Sequence, residues 1–124
     1  MDYQKINKSN ISQWESTLKY LTDLLRENNI KYYLSASGLN YVQGSNIYPY
    51  DIDMFVSKDS VKKAFSLLED YKTSNLHFWE EDGKKLLEFQ GIYNETPFEI
   101  CEWEEEPTEL KTVEFKDILI SIIG

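Results

Sequence analysis

The sequence contains few residues of the kinds that build disulfides, zinc sites or membrane spans. Among its 124 residues there is one cysteine, Cys101, and one histidine, His77. A single cysteine excludes a disulfide within the chain and is typical of a reducing compartment, and this pair alone argues against a zinc site. No run approaches the roughly 18 apolar residues of a membrane helix, and the N-terminus lacks a signal-peptide core. We therefore expect a cytoplasmic protein.

Basic residues are outnumbered. The chain has 13 Lys and Arg against 22 Asp and Glu, which gives a net charge of −9. Because nucleic-acid backbones are bound through Lys and Arg, a nucleic-acid partner is disfavoured, whereas a cationic small molecule or a basic protein is electrostatically favoured. Nothing in the sequence places a nucleophile or an activating base beside His77, so a Ser/His or Cys/His hydrolase has no support.

Apolar residues are plentiful enough for one packed core. They make up 41% of the chain, with 15% aromatic residues, which predicts a single domain over residues 1–124. Residues 1–11 are polar, and we expect them to form a loosely held N-terminal segment, the lead-in, before the first helix. No repeat or low-complexity tract interrupts the rest.

Periodicity predicts an α/β (α+β) domain with a mixed β-sheet and helices on one face. The predicted order is a helix from the capping box Ser12–Glu15 to about Asn29, a strand 32–36, a short helix 38–43, a strand 51–56, a helix 57–71, a hairpin 76–92 around Asp82-Gly83, and a strand 97–103. Residues 113–123 predict either a final core strand or a docking segment. The acidic loop 102–109 is either a solvated charge run or a rim that attracts a cationic acceptor.

A turn of small residues and two alternating carboxylates stand out in the first half of the chain. Ser37-Gly38 follows an apolar strand, and Asp51 and Asp53 come after an interval of twelve residues. In a strand these two carboxylates share one face, about 6 to 7 Å apart. They repel one another unless a cation lies between them, and Mg²⁺ binds such carboxylates together with substrate phosphates. The turn would offer backbone N–H groups to phosphate oxygens.

A third carboxylate, Glu99, lies between two apolar residues in the predicted strand 97–103. Neighbouring strands lie about 4.8 Å apart, so Glu99 beside Asp51 and Asp53 would complete a cluster of three carboxylates; Glu102 and Glu88 are the substitutes if Glu99 faces the other way. The alternative remains that Asp51 and Asp53 are ordinary solvent-facing strand positions and that Ser37-Gly38 is a plain turn.

Together these motifs resemble those of the nucleotidyltransferase superfamily with the polymerase-beta-type fold, whose pattern is a strand, Gly-Gly or Gly-Ser, about a dozen residues, Asp-h-Asp-h and a later acidic strand residue. From about Trp14 to Ile123 the layout is similar to that of the small lincosamide and aminoglycoside nucleotidyltransferases. Two features depart from the pattern: Ser37 replaces the first glycine, and the loop 45–50 before Asp51 carries no basic residue.

The resemblance implies a Mg²⁺-dependent transfer of a nucleoside monophosphate from a nucleoside triphosphate such as ATP to a hydroxyl of a small, antibiotic-like acceptor. Asp51, Asp53 and Glu99 would be the catalytic and metal-binding residues for two Mg²⁺ ions, with Glu99 alternatively acting as a base. Ser37 and Gly38 would bind the triphosphate.

Two other readings stay open: a non-catalytic descendant of this fold, and an antitoxin-like protein paired with a helical protein. Because related enzymes continue into helices that shape the acceptor site, we expect a homodimer or such a complex as the working unit.

Overall fold

The computed structural model describes residues 5–124, except for the side chain of Glu81. In this part of the chain three helices and seven strands follow one another: α1 Ile11–Glu27, β1 Tyr32–Ser35, α2 Ala36–Val42, β2 Ile52–Val56, α3 Val61–Leu67, β3 His77–Glu81, β4 Lys84–Tyr93, β5 Thr96–Glu102, β6 Leu110–Phe115 and β7 Ile118–Ile123. Short 3₁₀ turns flank α3 at Lys58–Ser60 and Glu69–Tyr71.

Five strands form a mixed sheet in the order β1-β2-β5-β4-β3, and β6 and β7 form a separate hairpin. Within the sheet β2 and β5 are parallel, while the other three pairs are antiparallel. The prediction of an α+β domain with a mixed sheet is therefore confirmed.

The core lies on the helix-covered face of the sheet. In β2 the apolar residues Ile52, Met54 and Val56 are buried, and the intervening Asp53 and Phe55 are only half-buried. Helix α1 packs in the same core through one apolar stripe, whose members are Trp14, Leu18, Leu21 and Leu25. Because the helices cover one face, the alternating polar residues of the strands are left on the other.

The C-terminal segment also belongs to the core. It forms the hairpin β6–β7, in which Ile118, Ile120 and Ile122 of β7 are buried. The Tyr32 hydroxyl accepts a hydrogen bond of 3.1 Å from the Ser121 amide and so ties β7 to β1. Of the two roles predicted for residues 113–123, the structure shows core packing. The segment contains parts of two strands, β6 and β7, although a single strand was predicted.

The predicted capping box was wrong. Helix α1 begins at Ile11 with Asn10 as its N-cap residue, so Ser12 lies inside the first turn. The Asn10 side chain does not cap the helix, because it accepts a hydrogen bond from the Asn7 amide and donates one to the Lys5 carbonyl. The helix ends at Glu27, two residues before the predicted end at Asn29, whose φ of 57° belongs to the left-handed region.

Two other helices differ from prediction in their bounds. Helix α2 begins at Ala36, two residues before the predicted start. The predicted helix 57–71 consists of a 3₁₀ turn, the seven-residue α3 and a second 3₁₀ turn. At its start the Ser57 hydroxyl bonds to the Ser60 hydroxyl at 2.6 Å and does not cap the turn.

Residues 1–4 of the predicted lead-in lie outside the described part of the chain. In the described part of this lead-in, Ile6 and Asn10 are buried, and Ile6 belongs to the hydrophobic core. Over residues 5–124 no helix is both long enough and apolar enough to cross a membrane.

Candidate active site

The open face of the sheet carries a row of polar residues across four strands. Parallel pairing of β2 and β5 sets Asp53 opposite Glu99, while β1 places Ser35 on the other side of Asp53 and β4 places Gln90 beside Glu99. Asp51 immediately precedes β2 and is half-buried. The structure therefore brings the three predicted carboxylates to the same region of the open face.

A second row runs beside the first and includes Phe55, Cys101, Glu88 and His77. The two rows border a cavity of about 270 Å³, which is lined by Ser35, Ala36, Asp53, Met54, Phe55, Trp79, Leu86, Glu88, Glu99 and Cys101. None of these lining residues is basic. The cavity thus combines the carboxyl groups of Asp53, Glu88 and Glu99 with apolar side chains.

The acids lie in two pairs, in which Asp51 acts on the pKa of Asp53 and Glu88 acts on the pKa of Glu99. Burial, and then the charge of Asp51, raise the pKa of Asp53 to about 7, while burial raises the pKa of Asp51 as well. Burial, and then the hydrogen bond and charge of Glu88, raise the pKa of Glu99 to about 8. Such raised values follow when like charges are crowded in a partly dry site without a cation.

The Cys101 thiol lies against the same group of acids. Burial, and then the charge of Glu88, raise its pKa to about 12. The thiol therefore stays neutral at physiological pH and is a poor nucleophile. The chemistry of the cavity belongs to its carboxyl groups.

The donor atoms of Asp51 and Asp53 suit Mg²⁺, which takes oxygen ligands and commonly binds one or two carboxylates, with water and phosphate completing its shell. Along residues 5–124, however, no group of three or more His, Cys, Asp or Glu side chains is arranged to hold a metal ion. Glu99 lies beside Asp53 in register, but its carboxyl group is also close enough to Glu88 for that acid to raise its pKa. The Asp51–Asp53 pair is thus the part of the predicted cluster that fits the ion.

Ser37 and Gly38 lie in the first turn of α2 and are not among the residues that line the cavity. The Ser37 hydroxyl accepts a hydrogen bond of 3.0 Å from the Tyr50 amide. A Cβ on Gly38 would lie 3.2 Å from the Trp14 ring, and the indole Nε1 of Trp14 donates to the Asp51 carbonyl at 3.0 Å. These contacts fix the backbone that presents Asp51.

Ser37 and Gly38 were predicted to contact the ligand. Ser35 and Ala36, just before them in the chain, line the cavity instead. Ala36 has a φ of 58°, in the left-handed region that non-glycine residues rarely adopt. Sequence reasoning missed this residue, since an alanine gives no sign of a left-handed backbone.

Sequence reasoning also gave His77 no role in the site and named Glu88 only as a substitute. A signal for both was present. The two-residue turn Asp82-Gly83 fixes the register of the hairpin, and counting back from it sets His77 opposite Glu88, as the structure shows. Strand alternation in β4 then places Glu88 and Leu86 on one face.

Comparisons with known proteins agree on the fold. No protein-family model matches the chain, and no curated protein sequence matches it significantly. Among solved structures, a candidate nucleotidyltransferase of Thermotoga maritima, TM1012, superposes with a TM-score of 0.80 at 14% identity, over 98% of this chain and 81% of that one.

Two further structures are similar. The lincosamide antibiotic adenylyltransferase LnuA with bound lincomycin gives a TM-score of 0.57 at 14% identity, over 98% of this chain and 82% of LnuA. An antigenic nucleotidyltransferase-like protein from Paracoccidioides brasiliensis gives 0.54 at 9% identity, over 91% of this chain and 61% of that one. At these identities the likeness concerns three-dimensional structure, and the chain has the nucleotidyltransferase fold that its motifs predicted.

Proposed function

We propose that the chain is a Mg²⁺-dependent nucleotidyltransferase that moves a nucleoside monophosphate from a nucleoside triphosphate, such as ATP, to a hydroxyl group of a small molecule. One observation carries the proposal: Asp53, with Asp51 next to it, lies beside Glu99, and Asp53 and Glu99 line an open cavity in a fold shared with an adenylyltransferase that binds lincomycin. A solvent-facing edge strand would not need this arrangement.

Asp51 and Asp53 would hold the ion. When bound there, Mg²⁺ supplies positive charge against the triphosphate and orients it. The protein itself has little covalent chemistry to perform, so its task is positioning. The hydrogen bond from Trp14 to the Asp51 carbonyl, and the close packing of Gly38 behind it, serve that task.

Glu99 would be the general base. It lies directly beside Asp53 at the cavity wall, within the region that an acceptor hydroxyl must enter to reach the bound triphosphate. Its pKa of about 8 belongs to the site without a cation, and a bound Mg²⁺ beside it would favour the ionised carboxylate that accepts a proton. Binding of a second Mg²⁺ at Glu99, beside Asp53, is a further proposal.

The acceptor would be cationic with an apolar body. Trp79, Leu86 and Phe55 line the same cavity as the carboxyl groups. The net charge of −9 attracts cations. The exposed glutamates of the loop after β5, Glu104, Glu105 and Glu106, extend this negative surface.

A second candidate function is binding without catalysis, by a protein that keeps the fold and acts through a homodimer or a helical partner in the cytoplasm. It is favoured by the absence of basic residues from the cavity lining and by the lack of a group of three metal ligands within residues 5–124. Sedimentation at micromolar concentration tests the self-association in this candidate.

A transfer assay separates the two candidates. The protein is incubated with Mg²⁺, each of the four nucleoside triphosphates labelled at the α-phosphate, and lincomycin or an aminoglycoside. We expect label on one acceptor class, loss of transfer in Asp53→Asn and Glu99→Gln, and normal transfer in the control Glu80→Gln, whose side chain is exposed and paired with Lys85. Absence of transfer to every acceptor, with nucleotide bound, would favour the binding protein.

A further inference from the structure

We propose that Trp79 and Glu88 form a subsite for an ammonium group of the acceptor, with the cation held between the indole ring and the carboxyl group. This inference rests on the proposed function, in which the acceptor enters the cavity beside Glu99, and it names the two residues that select the acceptor. It is carried by the exposure of Trp79, the burial of Glu88 and the separation of the two residues on the sheet.

Trp79 is an exposed aromatic residue at the wall of the cavity. It lies in the edge strand β3, opposite Leu86 of β4, and 42% of its surface is exposed. Among aromatic side chains, the indole ring attracts a cation over its face most strongly. Its large apolar area can also bury the body of a small molecule. An alkylammonium compound therefore matches Trp79 in both respects.

Glu88 brings a negative charge to the same wall. The residue lines the cavity although it is only 4% exposed. Its Oε1 atom lies 2.9 Å from Nε2 of His77 and 3.5 Å from the Gln90 side-chain nitrogen. Within residues 5–124 both hydrogen bonds of this carboxyl group end on Oε1, and no buried side-chain oxygen there lacks a partner. The second oxygen, Oε2, is therefore open to the cavity and can accept a hydrogen bond from a ligand.

The cavity itself supplies no positive charge for that oxygen, because no basic residue lines it. His77 lies beside Glu88 at the outer strand, and its side chain is 42% exposed, so water screens its charge. A ligand that carries its own cationic donor can form a charge-assisted hydrogen bond with Oε2, which is stronger than one from a neutral donor.

The register of the hairpin sets the gap between the two side chains. Glu88 lies opposite His77, and Trp79 is two residues farther along β3, so Trp79 and Glu88 are diagonal neighbours on one face of the sheet. Such neighbours lie about 7 to 8 Å apart. A cation interacts with a ring centroid within about 6 Å and with a carboxylate oxygen at about 2.8 Å. One ammonium group can therefore contact both residues.

The same pattern relates the subsite to the proposed base. Glu88 pairs with Cys101, which is two residues from Glu99 in β5, so Glu88 and Glu99 are also diagonal neighbours, about 7 to 8 Å apart. A molecule whose amine lies at Glu88 can present a hydroxyl group to Glu99. The subsite thus selects acceptors in which an amine and a hydroxyl group are separated by about this distance.

A matched pair of probes tests the subsite without metal or nucleotide. Phenethylamine and phenethyl alcohol share an aromatic body, and only the amine is charged at neutral pH. The chain has three tryptophans, so Trp79→Leu identifies the Trp79 indole N–H signal in a ¹⁵N NMR spectrum. We expect phenethylamine to shift this signal and to bind the wild type about 10-fold more tightly than phenethyl alcohol, since a cation–π contact and a charge-assisted hydrogen bond are together worth a factor of this order.

Two variants and two controls separate the contacts. Glu88→Gln should bind the two probes equally, and Trp79→Leu should bind the amine about 10-fold more weakly. Phe78→Ala removes an exposed aromatic residue from the opposite face of β3, and Glu80→Gln removes an exposed acid of the same strand. Both controls should keep the wild-type preference. Because Trp79 is exposed, its variant tests the subsite even if Glu88→Gln fails to fold.

Equal affinity of the wild type for the two probes would overturn the subsite, as would an unchanged affinity for the amine in Trp79→Leu. In the transfer assay, Trp79→Leu should raise the KM for the labelled acceptor and leave the KM for ATP unchanged; an unchanged acceptor KM would contradict its role in selection. The probe measurement contains neither Mg²⁺ nor nucleotide, so its failure contradicts this inference alone. Absence of transfer by a wild type that prefers the amine contradicts the proposed function.

Discussion

At the scale of single residues, the site is a balance between burial and like charge. Asp53 and Glu99 are adjacent on parallel strands, and the pKa of each is raised by burial and by neighbouring acids. In the absence of a cation, this environment favours the protonated forms of Asp53 and Glu99. A cation at Asp51 and Asp53 would displace such a proton, because carboxylate ligands bind metal in their ionised form.

The raised pKa of Asp53 predicts how stability depends on pH. The folded chain binds this proton more tightly than the unfolded chain does, so the contribution is full below the unfolded pKa and is lost as the pH rises through about 7. We expect the free energy of unfolding of the metal-free protein to fall between about pH 5 and pH 8. Urea titrations at both pH values measure it. In Asp53→Asn the fall should be smaller, and an equal fall in wild type and variant would contradict the account.

The left-handed backbone of Ala36 predicts a stabilising substitution. With a φ of 58° at the cavity edge, an alanine there is strained by roughly 1 kcal/mol, which glycine avoids. After the entropy that glycine adds to the unfolded chain, we expect Ala36→Gly to raise the free energy of unfolding by about 0.5 kcal/mol in chemical denaturation. Ala64→Gly, in the ordinary helix α3, should instead destabilise; a similar loss at both positions would show that Ala36 is unstrained.

The sequence predicted the placement of Asp53 and Glu99 well, because strand alternation and apolar neighbours are strong local signals. It did not predict that Gly38 faces Trp14 or that Ala36 borders the cavity. Those facts depend on where α2 begins, and a two-residue shift in a helix start moves each residue to another side of the first turn.

At the scale of elements, the hairpin β6–β7 is the part whose role was least certain from sequence. Its buried residues alternate with exposed ones, as Ile120 at 0% and Leu119 at 44% show. We expect Ile120→Ala to lower the free energy of unfolding by about 2 to 4 kcal/mol, because it leaves a cavity in the core. Leu119→Ala, the matched control, should cost about 1 kcal/mol or less. Comparable losses in the two variants by urea denaturation would mean that β7 is not packed as described.

Elements with strong turn chemistry were predicted closely, and those without it were not. Asp82-Gly83 predicted the hairpin β3–β4, whose turn residues both have positive φ. The turn between β6 and β7 has the same backbone at Lys116 and Asp117, but it lacks glycine or asparagine and was missed. The capping-box prediction failed because a Ser-x-x-Glu pattern can also occur inside a helix. The helix begins one residue earlier than Ser12, after Asn10, whose side chain forms hydrogen bonds with Asn7 and Lys5 in the preceding turn.

At the scale of the whole molecule, the fold persists where sequence similarity does not. The chain shares 14% identity with TM1012 and still superposes over 98% of its length. This is expected if the fold depends on apolar alternation and the order of elements, which many sequences satisfy. The proposed activity would rest on far fewer residues, since a fold alone does not determine function.

The central claim is that Asp51 and Asp53 hold Mg²⁺ together with a nucleoside triphosphate, and a thermal-shift measurement tests it most directly. Ligands that bind only the folded state raise its melting temperature. With each of the four nucleoside triphosphates, we expect the melting temperature of the wild type to rise when Mg²⁺ and nucleotide are both present, beyond the rise with either alone. Asp53→Asn should lose this joint rise, and Glu80→Gln should keep it. No joint stabilisation of the wild type by any of the four, or an undiminished one in Asp53→Asn, would contradict the account.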